Sequence, residues 1–383
     1  MTSPRPNPDF RPNPERGIFL TGVIGSDTLD RLTPSILKLQ AQSRSPISLY
    51  IDSLGGNTFH AEMLQGLLQA RQQDQPSIRL ITVATATAAS AGADLLISGD
   101  YALAYPHSII HCHGIRMGQD EITHEGAVDI ARYLSGRNES FALRHAFRCI
   151  SRFCFRFFRI RPDFPNIRAN DTSLTDVACF VRALQSHLAP NLQELLDEAL
   201  HLSAESDELA DYLATGHSRS PKTRAEFESQ LFKRIIDFEL KRHKREATWS
   251  FLDLGFERIE EKFKLLIDAQ VGTHHKRMIS RLCYQWKDFF LSDEQMEEWE
   301  KTEEAEQEEW LNQKIGEKLR PIWFLQVSIG RLLQKGEFRL SAEDAYWLGL
   351  IDEVIGREDL HSLRQIVEYT DAPEPSEKLE SKI

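Results

Sequence analysis

The stretch TAASAGADLLISGDYALAYPHSIIHCHG, residues 87–114, decides the architecture. It opens on a run of very small residues, Ala88-Ala89-Ser90-Ala91-Gly92-Ala93, and turns helical at Asp94-Leu95-Leu96-Ile97. YALAY (101–105) and SIIHC (108–112) follow as two short apolar runs that read as strands. Toward the N-terminus, IRLITVA (78–84) reads as a buried strand feeding the small-residue run. HAEMLQGLLQA (60–70) has apolar residues at helical spacing. ISLYI (47–51) is a further strand, ended by the turn signal Asp52-Ser53-Leu54-Gly55-Gly56. Near-continuous apolar strands alternating with helices imply a parallel sheet and an α/β core.

Beyond residue 123 the pattern changes. Glu125–Phe158 reads as one long helix, and 183–202, 223–270 and 293–318 as further helices. IRPDFPNIRANDTS (160–173) and TGHSRSP (215–221) read as loops. Strand and helix then return. EFRL (337–340) is a short strand, Ser341 an N-cap with Asp344 three positions on, and the helix AEDAYWLG stops at Gly349. Leu350–Ile355 reads as a last strand, and the tail TDAPEPSEKLESKI as disordered. The expected division is a Pro-rich flexible lead (1–15), an α/β core with a long helix (16–158), a helical insertion (159–320), the return of the core (321–356) and a C-terminal tail (357–383).

A chain of 383 residues suits two domains better than one. A hydrophobic fraction of 41% with 27% charged residues is that of a globular protein. No run of about 18 uncharged apolar residues marks a membrane span. The first residues, MTSPRPNPDFRPNPERG, lack the apolar centre of a secretory signal. Five cysteines (Cys112, Cys149, Cys154, Cys179, Cys283) without a CxxC pair suit a reducing, cytoplasmic setting. A net charge of −12 disfavours nonspecific DNA binding as the main task.

The chemistry centres on Ser90. A serine where a strand yields to a helix stands beside free N–H groups and the positive end of the helix dipole, which suit a nucleophile and a developing oxyanion. A serine that only caps a tightly packed helix is the other reading of the same residues. Two features join it. Gly55-Gly56 lets backbone amides approach a bound carbonyl closely, and His113 follows a strand from which an imidazole can reach a serine. His107, His111 and His113 also invite a metal reading, but no acidic or cysteine partner is near in sequence. Arg144, Arg148, Arg152, Arg156 and Arg159, interleaved with phenylalanines, form a basic stripe. It could bind nucleic acid or pair with the acidic run DEQMEEWEKTEEAEQEEW (293–310); the internal pairing is the expectation, a solvated acidic face the alternative.

RGIFLTGVIG (16–25), ISLYIDSLGG (47–56), TAASAGADLLISGDYALAYPHSIIHCHG (87–114) and FRLSAEDAYWLGLIDEVI (338–355) resemble the ClpP peptidase family in order and spacing. The resemblance covers 16–145 and 325–356 and implies the ClpP/crotonase-like fold of repeated β-β-α units, here with a mostly helical inserted module. It implies Ser90 as nucleophile, His113 as general base, and the amides of Gly56 and Ala91 as oxyanion donors. The family's aspartate falls at Glu337, whose extra methylene requires a different backbone setback; a Ser–His dyad helped by another acceptor is the alternative. Leu54 stands for the usual proline and Ala86 for a glycine.

The resemblance implies a serine endopeptidase acting on protein or peptide substrates within a homo-oligomeric ring, with no metal or organic cofactor. The family's axial loop and first helix have no counterpart before Arg16, so ordinary coupling to an AAA+ unfoldase is not expected. The helical insertion is expected to alter assembly, gate access or bind a regulator. A catalytically silent ClpP-like scaffold and a crotonase-type acyl-CoA enzyme are the rival readings.

Overall fold

The computed structural model describes residues 10–70, 77–117, 123–159, 187–215, 224–245, 271–357 and 359–360, together with 185 and 259. The loop read at 160–173, residues 216–221 of the loop read at 215–221, most of 246–270 and the tail TDAPEPSEKLESKI lie outside them, while Thr215 ends a helix. The chain divides into two compact units. One comprises Met1–His111, Ser151–Pro162 and Arg339–Ile383; the other comprises Cys112–Ile150 and Asp163–Phe338. The division does not follow the boundaries expected at 158/159 and 320/321, because most of the long helix belongs with the helices that follow it.

The first unit is built on a parallel sheet. Its strands are β1 (Gly17–Ile24), β2 (Ile47–Gly56), β3 (Leu80–Ala89), β4 (Tyr101–Ala104) and β7 (Glu353–Val354), in that spatial order. Helices α1 (Ser26–Gln42), α2 (Thr58–Leu68) and α3 (Ala91–Ser98) make the crossovers that parallel neighbours require. The strand β5 (Ile109–His113) leaves this path. It pairs in parallel with the far end of β3 and also pairs with β6 (Glu337–Ser341). β3 therefore changes neighbours along its length: residues 81–84 pair with β4, and residues 87–89 with β5. The small side chains Thr85–Ala89 occupy the stretch where that exchange occurs.

Two strands outrun their sequence signals. β2 continues through Gly56 instead of ending at Ile51, because Val23 and Ile24 of β1 pair with Gly55 and Gly56 after a register shift. β3 continues to Ala89, directly before Ser90. Conversely, only Glu353–Val354 of the expected strand Leu350–Ile355 pairs. The Pro-rich lead is not free from Phe10 onward. Phe10 is buried against Tyr101 at 5.1 Å with the Arg79 guanidinium over its ring, and Arg11 reaches Glu353 at 3.0 Å. Phe10 joins Ile81, Val83, Tyr101 and Leu103 in one core cluster.

The second unit is helical. α4 (His124–Arg159) is the expected long helix. It is followed by α5 (Pro190–Thr215), α6 (Arg224–Arg245), α7 (Val271–Phe290), α8 (Asp293–Lys301), α9 (Glu304–Leu311) and α10 (Glu317–Lys335). Within it Arg331 of α10 grips Glu139 of α4 through two hydrogen bonds of 2.8 and 2.6 Å. Burial alone would lower the Arg331 pKa, but the Glu139 charge and hydrogen bonds outweigh it and the net shift is upward.

The expected pairing of the arginine stripe with the acidic run is corrected where side chains are described. Arg152 is buried in the first unit, 2.8 Å from Asp352, and donates to the carbonyls of Ile97, Gly99 and Leu350. Arg144 lies over the Phe141 ring. Asp293, Glu294, Glu297, Glu298, Glu300, Glu303, Glu304, Glu306, Glu308 and Glu309 are all exposed, so the acidic run is a solvated face. The side chains of Arg156, Arg159, Phe155, Phe157 and Phe158 lie outside those described.

The last helix, α11 (Ala342–Trp347), follows its sequence signals closely. Ser341 and Asp344 form a reciprocal capping box, and Gly349 takes the left-handed conformation (φ 84°) that ends it.

Candidate active site

Ser90 follows the last residue of β3 and precedes the first of α3. Its backbone has φ 55° and ψ −127°, and among the described residues it is the one non-glycine with positive φ. These angles match the first central position of a type II′ turn, which glycine dominates. An L-residue held there costs on the order of 1–3 kcal/mol, and such strain concentrates where a side chain must be presented. A serine on a tight strand-to-helix turn is the arrangement that exposes a nucleophilic hydroxyl. The capping alternative fails on direct grounds: the Ser90 side chain makes no cap hydrogen bond to α3.

The backbone holds the turn from both sides. Ser90 N–H donates to the His111 carbonyl of β5 at 2.8 Å, and the Ser90 carbonyl accepts from Ala93 and Asp94. Ala91 is the first residue of α3, so its N–H is among the donors a helix cannot satisfy internally. On the other side stands the glycine pair. A Cβ at Gly55 would lie 2.5 Å from Ser90 Cβ and 3.1 Å from Ala91 N, and Gly55 has φ 89°. Only glycine fits there. Gly56, at φ 148°, meets Ile24 of β1 instead. Ser53, which the motif reading passed over, orders this loop by donating to the Gly22 carbonyl and accepting from Gly55 N–H at 3.1 Å. Ser90, Ala91 and the glycine pair are thus brought together within the first unit.

β5 alternates in burial: Ile110 and Cys112 are buried, while Ile109, His111 and His113 share the other face. His113 stands two residues beyond the His111 whose carbonyl anchors Ser90. Within the second unit, His113 Nδ1 lies 2.6 Å from the carbonyl oxygen of Gly114. A carbonyl can only accept, so Nδ1 carries the proton. In the neutral ring Nε2 then presents a lone pair, the form a general base requires.

Glu337 is at the first position of β6, and its carboxylate is 59% exposed and ion-paired with Arg116. Arg116 and Gly114 were not singled out by sequence. A salt-bridge partner 221 residues away in the chain and a backbone carbonyl leave no local signature. Among the described residues no group of three or more His, Cys, Asp or Glu side chains converges as a metal site, and no helix is long and apolar enough to cross a membrane.

Residues 11–133 match the family model described as Clp protease. The match covers β1 to β4, the glycine pair, the Ser90 turn and β5 with His113, and with the mostly parallel sheet it identifies a ClpP/crotonase-like α/β fold. It supports a ClpP-like peptidase at the level of the family. No curated protein matched the chain.

Proposed function

We propose that this chain, with a Clp protease segment at residues 11–133, is a serine endopeptidase that cleaves peptide bonds through an acyl-enzyme on Ser90. The observation that carries the reading is the strained backbone of Ser90 at a strand-to-helix turn, with a hydroxyl that caps nothing. His113 takes the Ser90 proton at Nε2 as the hydroxyl attacks the scissile carbonyl. The imidazolium then gives it to the leaving amine. Water, deprotonated by the same ring, hydrolyses the ester and restores Ser90. Ala91 and Gly56 supply the amides for the oxyanion, supported by the position of Ala91 on the first turn of α3 and by the side-chain-free wall at Gly55. His113 Nδ1–H has the Gly114 carbonyl as acceptor, which favours the dyad reading; Glu337 has Arg116 as partner.

Assembly into a ring suits the exposed apolar side chains Phe19, Val23, Leu54, Phe59 and Met63 on the first unit. Cys112, Cys149 and Cys283 are buried thiols outside any disulfide, which suits a reducing, cytoplasmic setting.

The test is covalent labelling with a fluorophosphonate probe, followed by peptide mapping. Ser90 is expected to carry the label, and Ser90→Ala and His113→Ala are expected to abolish it. A folded protein that refuses the probe would favour the silent scaffold. Hydrolysis of a coenzyme A thioester with no peptide cleavage would favour the crotonase-type rival.

A further inference from the structure

We propose that Asn138 is a positioning residue for His113, acting through the peptide plane between Gly114 and Ile115. The inference rests on the peptidase reading of Ser90 and His113.

The Gly114 carbonyl and the Ile115 N–H belong to one planar peptide unit, in which the oxygen and the hydrogen point to opposite sides. His113 Nδ1–H occupies the oxygen at 2.6 Å. Asn138 Oδ1, on α4, accepts from Ile115 N–H at 2.9 Å. Fixing one side of the plane fixes the other, so Asn138 decides where the acceptor for the histidine points. The two bonds also polarise the shared amide in the same sense, each strengthening the other. The resulting chain runs from the imidazole through a peptide group to an asparagine amide, and it holds the ring in the tautomer whose Nε2 carries no proton.

The anchor itself is built into the second unit. A Cβ on Gly114 would lie 2.3 Å from the Gln334 carbonyl oxygen and 3.1 Å from Asn138 Nδ2, so the segment is pressed against α10 and α4. Glu139, next to Asn138, is bound by Arg331, and Gly330 meets the Ala142 backbone. α4 and α10 are thereby locked beside the segment they position. The Glu337 carboxylate is exposed and ion-paired with Arg116.

The test uses the full-length chain with two readouts. One is steady-state hydrolysis of a fluorogenic peptide. The other is 15N NMR of histidine-labelled protein, with the His113 signals assigned by their loss in His113→Gln. Native protein should show His113 protonated at Nδ1. Asn138→Ala should shift it toward the Nε2–H tautomer and lower kcat by about ten- to a hundredfold with KM held within about twofold. Asn138→Asp keeps an oxygen acceptor and should retain both the Nδ1–H signature and kcat within about threefold. Native kcat and an unchanged tautomer in Asn138→Ala would overturn the proposal. If that variant does not fold, loss of the Nδ1–H signature in folded Asn138→Asp overturns it. Ser90→Ala that still cleaves peptide would instead sink the assignment of Ser90 as nucleophile, and the tautomer readout would be untouched.

Discussion

Ser90 and Gly55, which faces it, are specified by backbone geometry. The conformation at Ser90 suits glycine, so serine is held there against its own preference. Ser90→Gly should therefore raise stability by about 1 kcal/mol while abolishing activity. Ser90→Ala should abolish activity without that gain, since alanine shares the steric penalty. Urea unfolding of the two variants beside the native protein checks the difference, and equal midpoints for both would argue against stored strain. At the other end of the sheet, Arg152 and Asp352 show what burial demands of charge. Their side chains are 1% and 0% exposed, and four hydrogen bonds from the guanidinium leave neither charge stranded.

At the scale of elements, β2 to β7, α2, α3 and the capped α11 were legible because each obeys a local rule. Apolar runs bounded by Gly and Asp made strands, and the Ser341–Asp344 pair marked a helix start. Strand ends were not legible. β2 runs through Gly56 because β1 supplies a partner for it, a fact of pairing rather than of propensity. The α4–α10 contact is equally non-local, since Glu139 and Arg331 are separated by 192 residues. Breaking it with Arg331→Met leaves a buried carboxylate and should destabilise the helical unit by about 3–5 kcal/mol. The double variant Arg331→Met with Glu139→Leu should recover most of that loss. Thermal unfolding followed by circular dichroism measures both, and strict additivity of the two single changes would refute the pairing.

For the whole molecule, two buried acids make alkali the vulnerable direction. Burial pushes the Cys283 thiol up to about 12. Burial, then the charges of Glu353 and Asp352, raise the Tyr101 phenol well above its ordinary value. In the folded state both groups keep a proton that the unfolded chain has already released. Their contribution to stability is fully present below the unfolded values and is lost as pH rises through the folded ones. Urea midpoints should fall between about pH 8 and about pH 11, with the Cys283→Ala variant losing part of the dependence. A midpoint flat over that range would contradict the burial of these groups. The same thiol should resist alkylation at neutral pH until the helical unit opens.

The sequence by itself determined the α/β core, the long helix and the serine turn, because each rests on side-chain size, periodicity or a glycine requirement carried by adjacent residues. Tertiary structure alone decided that Phe10 anchors the Pro-rich lead, that Arg152 faces Asp352 rather than the acidic run, and that Gly114 and Asn138 stand behind His113. These are contacts between residues distant in the chain or with backbone atoms, which every residue possesses and which no residue type announces.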